Sequence, residues 1–313
     1  MDTTLFTQCK NKLVENCSKV IVGKEDTIEQ IVVCLVASGH VLLEDLPGTG
    51  KTMLLRAFAK SIGGQFRRIQ FTPDLMPSDL TGINFYNQKK GEFEFKKGPL
   101  FSNIVLADEI NRAVPRSQSA LLEVMEEKQI SVDGEAYKME EPYMVMATQN
   151  PVESYGTFPL PEAQLDRFFM KLSLGYMTKD QEIGILRRPE TVRIIDSLEQ
   201  VVSTDEIMKM RQTFSKVTVS DEIASYIMDI ITYTRQSNLL VNGVSARGSL
   251  ALYKASQITA ALNGRDYVIP EDVKKEAMAV LPHRIMLSGR SHLGSQGFVR
   301  NMLEDVEVPL EQH

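Results

Sequence analysis

The stretch EDLPGTGKT, from Glu44 to Thr52, has the residue types and spacing best suited to binding phosphate. Gly48 and Gly50 allow a tight backbone turn that points successive N–H groups toward phosphate oxygens. Lys51 would reach the β- and γ-phosphates, and the Thr52 hydroxyl would help coordinate a magnesium ion. The stretch follows an apolar run typical of a strand and precedes a helical pattern, so a helix N-terminus would face the same anion. We therefore expect a phosphate-binding loop.

A second apolar run, NIVLADE, ends in two adjacent carboxylates, Asp108 and Glu109. Because the chain turns where a strand ends, both side chains can reach the crevice above the sheet, where ligands bind. Asp108 is suited to hold the hydration shell of magnesium, and Glu109 to accept a proton from an attacking water. A solvated pair at a strand end is the alternative, which the upstream phosphate loop disfavours.

Three further polar residues have chemistry that suits a phosphate site. Asn150 ends a third apolar run and either orients a water or the γ-phosphate, or forms a turn before proline. Arg167 either stabilises charge on a transferring phosphoryl group or forms a local ion pair. Arg247 falls in the first turn of a predicted helix, where a cation is unfavourable unless an anion such as phosphate accompanies it.

The chain alternates strands and helices up to about Gly175 and then, after Tyr176, shows only helical patterns. This alternation is typical of a three-layer α/β domain. We predict an α/β nucleotide-binding core over residues 1–176 and an all-helical lid over residues 177–313. The predicted core strands are His40 to Glu44, Arg67 to Phe71, Asn103 to Glu109, Tyr143 to Asn150 and Phe168 to Leu174.

Two insertions in the core have the pattern of β-hairpins. Ile83 to Phe95 alternates apolar and polar residues on both sides of a turn, and Gln129 to Met139 carries Asp133–Gly134 at its tip. The Asp-Gly pair favours a two-residue hairpin turn. Neither hairpin is needed to close a nucleotide-binding sheet, so they either contact a partner or decorate the surface.

Composition excludes several other classes of protein. The 313 residues carry a net charge of −6 without a basic stripe, which disfavours nucleic acid as the main partner. Three cysteines lack C-x-x-C spacing, so neither a disulfide framework nor a zinc site is expected. No apolar run is long enough to span a bilayer, and the N-terminus lacks the pattern of a signal peptide. We expect a cytoplasmic protein.

The succession of longer segments resembles the MoxR family of AAA+ ATPases, in the helix-2-insert clade. These segments are the phosphate loop, DEINRAVPRSQSALLEVMEE, ATQNPVESYGTFPLPEAQLDRF, VSARGSLALYKA and LPHRI, and the resemblance extends from about Val20 to Ile285. It implies a P-loop AAA+ core with a helical lid, and Mg²⁺-dependent ATP hydrolysis. The two hairpins are similar to the insertions that mark this clade.

The resemblance also implies a role for each candidate residue. Lys51 falls in the Walker A motif, Asp108 and Glu109 in Walker B, Asn150 at sensor 1 and Arg247 at sensor 2. Arg247 is expected to contact phosphates bound to its own chain, whereas Arg167 falls at the arginine finger, which serves the neighbouring subunit. Thr52 and Asp108 are the expected magnesium ligands. The full set expected to bind ATP is Val22, Gly23, Pro47, Gly48, Thr49, Gly50, Lys51, Thr52, Met53, Asp108 and Arg247.

The biological role implied by the resemblance is chaperone-like. Such proteins work as rings, most often hexamers, and act with a von Willebrand factor A domain protein to remodel or mature a client. Two alternatives stay open: a DNA-associated or metal-chelatase-type motor subunit, and an ATP-gated scaffold with little hydrolysis. A GTPase is disfavoured because the chain has no N-K-x-D stretch to recognise guanine.

The phosphate loop departs from the pattern G-x-x-x-x-G-K-[ST] at its first position, which is Asp45. That position lies farthest from Lys51, and the phosphate-facing backbone comes from Pro47 to Thr52. A carboxylate pointing into the loop would repel phosphate. We therefore expect Asp45 to point away, toward the lid or a neighbouring subunit.

Overall fold

The structure is a computed structural model that describes residues 1–46, 48–151, 156–186, 191–289 and 294–309. Pro47, predicted to bind the cofactor, lies outside these ranges. The strands within them are β1 (Val41–Glu44), β2 (Phe66–Gln70), β3 (Gly82–Asn87), β4 (Glu92–Lys97), β5 (Ile104–Asp108), β6 (Gln129–Val132), β7 (Glu135–Lys138), β8 (Met144–Gln149), β9 (Met170–Leu172), β10 (Leu240–Asn242) and β11 (Met286–Leu287).

The described ranges also contain α-helices, which form most of the chain after β9. They are α1 (Thr4–Ser18), α2 (Glu25–Val36), α3 (Lys51–Ser61), α4 (Pro77–Thr81), α5 (Pro115–Glu127), α6 (Glu162–Leu165), α7 (Lys179–Leu186), α8 (Thr191–Ser197), α9 (Thr204–Thr213), α10 (Asp221–Gln236), α11 (Ala246–Leu262), α12 (Pro270–Val280) and α13 (Ser295–Asp305).

Five parallel strands form the central sheet in the order β2-β5-β8-β1-β9. Alternate residues of β5 enter different apolar cores, with Ile104 and Leu106 in one and Val105 and Ala107 in the other. This division follows from the two-residue period of a strand buried on both faces. Helices cover both faces, so the three-layer α/β core is as predicted, and parallel pairing brings the carboxyl ends of all five strands to one edge.

The helical region does not pack as an isolated body. Helices α9 and α11 contact α1 and α2 from the beginning of the chain, and one apolar core includes residues from all four. The Ser245 hydroxyl caps α11 by accepting a hydrogen bond from the Gly248 N–H at 3.3 Å. This cap fixes the start of the helix and places Arg247 in its first turn, as predicted.

The prediction that only helices follow Tyr176 was wrong. Strands β10 and β11 pair antiparallel, with Leu240 opposite Leu287. They contain three and two residues, which is too short for a two-residue alternation to be detected in the sequence. Their pairing joins the loop before α11 to the segment after α12.

Both predicted hairpins are present. β3 pairs with β4, and β6 pairs with β7 around Asp133 and Gly134, whose φ angles are 50° and 87°. Positive φ at both positions is the geometry that an Asp-Gly turn favours. The hairpins also contact each other: Phe95 stacks on Tyr137 with ring centroids 4.5 Å apart, and the Asn84 amide donates to Asp133 at 2.6 Å.

His40 has a structural role at the start of β1. Its Nδ1 accepts a hydrogen bond from the Val145 N–H at 2.9 Å, and its Nε2 lies 3.0 Å from the Met125 carbonyl oxygen. Burial lowers the pKa of the imidazole to about 4, so the ring is neutral and donates through Nε2. These bonds tie β1 to β8 and to α5.

None of the helices in the described ranges has both the length and the apolar character that crossing a membrane requires.

Candidate functional site

The phosphate loop connects the carboxyl end of β1 to the N-terminus of α3. Gly48 and Gly50 have φ angles of 82° and 89°, a region that other residues enter only at a cost in free energy. Apart from its chain neighbours, no described residue has an atom within 4 Å of a β-carbon placed at Gly48, so the backbone conformation rather than crowding favours glycine there. A β-carbon at Gly50 would lie 3.3 Å from Ile21 Cδ1, which places the segment before Val22 and Gly23 beside the loop.

Lys51 lies between the phosphate loop and the end of β8. Its Nζ donates to the Leu46 carbonyl at 3.2 Å and the Gln149 carbonyl at 3.3 Å, and also to the Asp45 carbonyl. Burial lowers the pKa of the ammonium, opposed by the surrounding carboxylates. Backbone carbonyls therefore satisfy the lysine, and phosphate oxygens would compete for the same ammonium.

Thr52 and Asp108 are brought together as predicted. The Thr52 hydroxyl lies 3.2 Å and 3.3 Å from the two carboxylate oxygens of Asp108. Two residues that the sequence analysis missed complete the contacts. Thr148 donates to Asp108 Oδ1 at 2.6 Å, and Arg68 donates through Nη2 to Oδ2 at 2.7 Å. Asp108 is almost fully buried, and these donors compensate its charge.

Glu109 points to the same edge of the sheet because the backbone turns at this residue. Its φ and ψ are 57° and 51°, a left-handed conformation that costs a residue other than glycine about 1 to 3 kcal/mol. The Thr148 hydroxyl accepts the Glu109 N–H at 2.9 Å and so fixes the turn. Gln70 donates to the Glu109 carboxylate at 2.8 Å, and Arg112 pairs with it at 2.9 Å.

The remaining predicted residues on this side surround the loop. Asn150 is buried directly after β8, and its carbonyl accepts a hydrogen bond from Asn111 at 3.1 Å. Val22 is partly exposed, and Gly23 has a φ of 73°. Met53 is partly buried against the main apolar core at the start of α3.

Arg167 and Arg247 lie together beside the amino ends of the central strands, at the end of the sheet opposite the phosphate loop. Both bind Glu126: Arg167 through Nε at 3.1 Å, and Arg247 through Nη2. Arg247 also lies 3.9 Å from Asp166. A cavity of about 210 Å³ is lined by these residues and by Ser38 to His40, which precede β1.

The expectation that Arg247 contacts phosphates bound to its own chain was wrong for this structure. The phosphate loop follows the carboxyl end of β1, whereas Arg247 and Arg167 lie beside the amino ends of β1 and β9. Four strand residues separate the two edges, which at about 3.3 Å per residue amounts to roughly 13 Å. The buried Arg284 holds this geometry by pairing with Asp166 at 3.0 Å.

Sequence reasoning could have found part of what it missed. Arg68 and Gln70 are two residues apart on β2, so they share a face, and each contacts one of the two carboxylates. Thr148 lies near the carboxyl end of β8, two residues before Asn150. By contrast, no local pattern indicates that Glu126 joins the two arginines.

Comparison with known proteins identifies the family. Residues 40–170 match the family model described as ATPase family associated with various cellular activities (AAA), and residues 232–305 match the AAA lid domain model. The uncharacterized protein YeaC of Bacillus subtilis is 49% identical over 96% of this chain and 95% of its own length. Chaperone MoxR1 of Mycobacterium tuberculosis is 40% identical over 93% of this chain and 80% of its own length.

A solved structure gives the same result. The crystal structure of a protein from Cytophaga hutchinsonii, described as an ATPase, superposes with a TM-score of 0.89 at 38% identity and covers 98% of each chain. The fold is therefore a P-loop AAA+ core with a helical lid. The activity of the chain is ATP hydrolysis. The chain belongs to the MoxR family of AAA+ ATPases.

Proposed function

We propose that this chain hydrolyses ATP with Mg²⁺ in an oligomeric ring, a hexamer, and uses the turnover for chaperone-like remodelling or maturation of a partner protein. The observation that carries the ring proposal is the position of Arg167 and Arg247. Both lie beside the amino ends of the strands, remote from the phosphate loop of their own chain. A nucleotide bound at that loop would therefore be contacted by the arginines of a neighbouring subunit. Each chain would therefore contribute its phosphate loop to one nucleotide site and its two arginines to the site of an adjacent subunit.

Within one chain, the loop residues Gly48 to Thr52 would hold the phosphates, with Lys51 on the β- and γ-phosphates. Thr52 and Asp108 would hold Mg²⁺, which neutralises phosphate charge when bound. The fit is supported by the Arg68 guanidinium, a cation that already pairs with Asp108 next to the Thr52 hydroxyl. Val22, Gly23 and Met53 are proposed to contact the rest of the nucleotide.

Glu109 is proposed as the base that takes a proton from the attacking water. The left-handed turn and the contacts with Gln70 and Arg112 hold its carboxylate at the edge where the phosphate loop lies. Asn150, at the same edge, is proposed to orient the water or the γ-phosphate.

Arg167 and Arg247 are proposed to stabilise negative charge on the γ-phosphate of the adjacent subunit. Their present partner, Glu126, is about one-third exposed, and ion pairs of this kind contribute about 0 to 1 kcal/mol. A phosphate with more than one negative charge can therefore displace Glu126 from both arginines.

The two hairpins are proposed to contact the partner. They contact each other through the stacked rings of Phe95 and Tyr137. Tyr86 and Phe93 remain 53% and 74% exposed on β3 and β4, with ring centroids 5.4 Å apart, and adjacent exposed aromatic side chains suit contact with a partner. A von Willebrand factor A domain protein and its client are the partners that the family resemblance suggests, and MoxR1 is itself named a chaperone.

The Glu109→Gln variant tests the hydrolytic assignment. It keeps the size and hydrogen-bonding ability of the side chain but removes the base. We expect steady-state ATP turnover to fall roughly 100-fold or more, while equilibrium binding of ATP stays within a few-fold of wild type. Glu123→Gln, at an exposed position of α5, is the matched control and should turn over normally. Undiminished turnover of the Glu109 variant would contradict the assignment.

Mixing two inactive variants tests whether the site is shared. Lys51→Ala removes nucleotide binding from a subunit but leaves its arginines, whereas Arg167→Ala leaves the loop intact. In an equal mixture, one interface in four would pair an intact loop with an intact arginine, so about a quarter of wild-type turnover should return if interfaces are head-to-tail. A mixture as inactive as its components would show that the arginine does not act between subunits.

Arg68→Met tests the proposed cation site without relying on turnover. Arg68 donates two hydrogen bonds to Asp108 that a metal ion would have to replace, so its removal should lower the Mg²⁺ concentration needed for half-maximal binding of a fluorescent ATP analogue. We expect a change of roughly threefold to tenfold, since a hydrogen bond to a charged group contributes about 1.5 to 3 kcal/mol when buried and less when exposed.

The control for this experiment is Arg67→Met, which removes the same charge from the opposite face of β2. Its Mg²⁺ dependence should match that of wild type. An equal shift in both variants would mean that net charge alone is responsible, and no shift in either would contradict the competition between Arg68 and the metal.

A further inference from the structure

Asp45 occupies the first position of the phosphate loop, yet its side chain contacts a distant part of the chain. The carboxylate accepts hydrogen bonds from the Ser173 hydroxyl at 2.6 Å, from the Leu174 N–H and from the Gly175 N–H at 3.3 Å. Ser173 to Gly175 directly follow β9 and lead to α7. We call residues 173–176 the junction, because they connect the core to the helical region.

These bonds are specific to an acidic side chain. Asp45 is only 9% exposed, and a buried carboxylate requires donors to compensate its charge. Three donors from the junction supply them. The glycine that the usual pattern has at this loop position has no side-chain atom that could accept these hydrogen bonds.

The side chain of Lys24 also contacts the junction. Its Nζ donates to the Leu174 carbonyl and, at 3.3 Å, to the Tyr176 carbonyl. Lys24 directly follows Gly23, where a β-carbon would lie 1.7 Å from Nε2 of Gln181 in α7. Thus both segments proposed to contact the nucleotide, the loop and the Val22–Gly23 segment, are attached to the junction by a charged side chain.

The main chain of Asp45 is linked to the phosphate-binding lysine. Lys51 Nζ donates a hydrogen bond to the Asp45 carbonyl oxygen. Phosphates that bind Lys51 would draw the ammonium away from this carbonyl. The residue that loses this contact is the same one whose carboxylate orients the junction.

We propose that Asp45 is a positioning residue that transmits occupancy of the phosphate loop to the junction, and so to the helical region that contains Arg247. Lys24 provides the second attachment. This inference rests on nucleotide binding at the loop, as set out under the proposed function, but does not depend on the ring or on the partner.

The experiment measures backbone amide hydrogen exchange of residues 173–183 with and without ADP, in the full chain. In wild type, ADP should change the exchange rates of Leu174 and Gly175 at least threefold. In Asp45→Gly, ADP affinity should stay within about threefold of wild type, but the ADP-dependent change in the junction should disappear. Asp45→Asn, which keeps the shape and removes the charge, should reduce the change and serves as a second variant if the glycine variant does not fold.

Glu206→Gln is the matched control. Glu206 also accepts a backbone hydrogen bond, from Ser203 at 2.7 Å at the start of α9, but it does not contact the junction. It should leave the ADP-dependent exchange unchanged, which separates a general loss of stability from a loss of coupling.

Two results would overturn the inference. A junction that still responds fully to ADP in both Asp45 variants would show that the signal takes another route. Loss of ADP binding in the Asp45 variants would show that Asp45 belongs to the phosphate site itself. Lys51→Ala distinguishes these failures from a failure of the proposed function: if this variant binds ADP as tightly as wild type does, the loop is not the nucleotide site.

Discussion

The buried carboxylate of Asp108 is the constraint on which the site depends. It ends a strand whose five residues are all buried, and a charge in that position is tolerated only with close donors. The donors come from three elements: Thr52 on α3, Thr148 on β8 and Arg68 on β2. Compensating one charge therefore brings the phosphate-loop helix, a central strand and an edge strand to a single point, and Thr148 extends this order to the turn at Glu109.

The same sheet separates the two charged regions of the chain. Parallel strands place the loop and the two carboxylates at the carboxyl ends of the strands, whereas Arg167, shortly before β9, and Arg247, at the start of α11, lie beside the amino ends. The arginines are held by partly exposed ion pairs with Glu126, which are weak enough to be exchanged for a ligand. This arrangement suits a site shared between subunits, and the contacts of Asp45 with the junction offer a route by which one edge can influence the other.

The sequence predicted most of the fold because the relevant signals are local. Apolar runs mark four of the five core strands, and the Asp-Gly pair marks a hairpin turn. The phosphate loop, Asp108 and Glu109 follow from local patterns in the same way. Contacts that depend on strand register were missed, because Gln70 lies opposite Asp108 only when β2 and β5 pair as they do. The direction of Asp45 was predicted only in part, since its partners lie more than a hundred residues away.

The position of Arg247 could not be predicted for a related reason. Its helix was recognised, but the edge of the sheet that the helix faces depends on how α11 packs against α1, α2 and α12. Those contacts join parts of the chain that are far apart in sequence. The resemblance to the family implied a role for this residue at the phosphates of its own chain, whereas in the structure it pairs with Glu126 beside the amino ends of the strands.

The most direct test of the account is a structure of the assembled Glu109→Gln protein with ATP and Mg²⁺. The account predicts that each nucleotide contacts Lys51 and Thr52 of one subunit and both Arg167 and Arg247 of the next, with Arg68 no longer paired with Asp108. A nucleotide that is contacted by Arg247 of its own chain, or an assembly in which both arginines remain on Glu126 while ATP is bound, would contradict it.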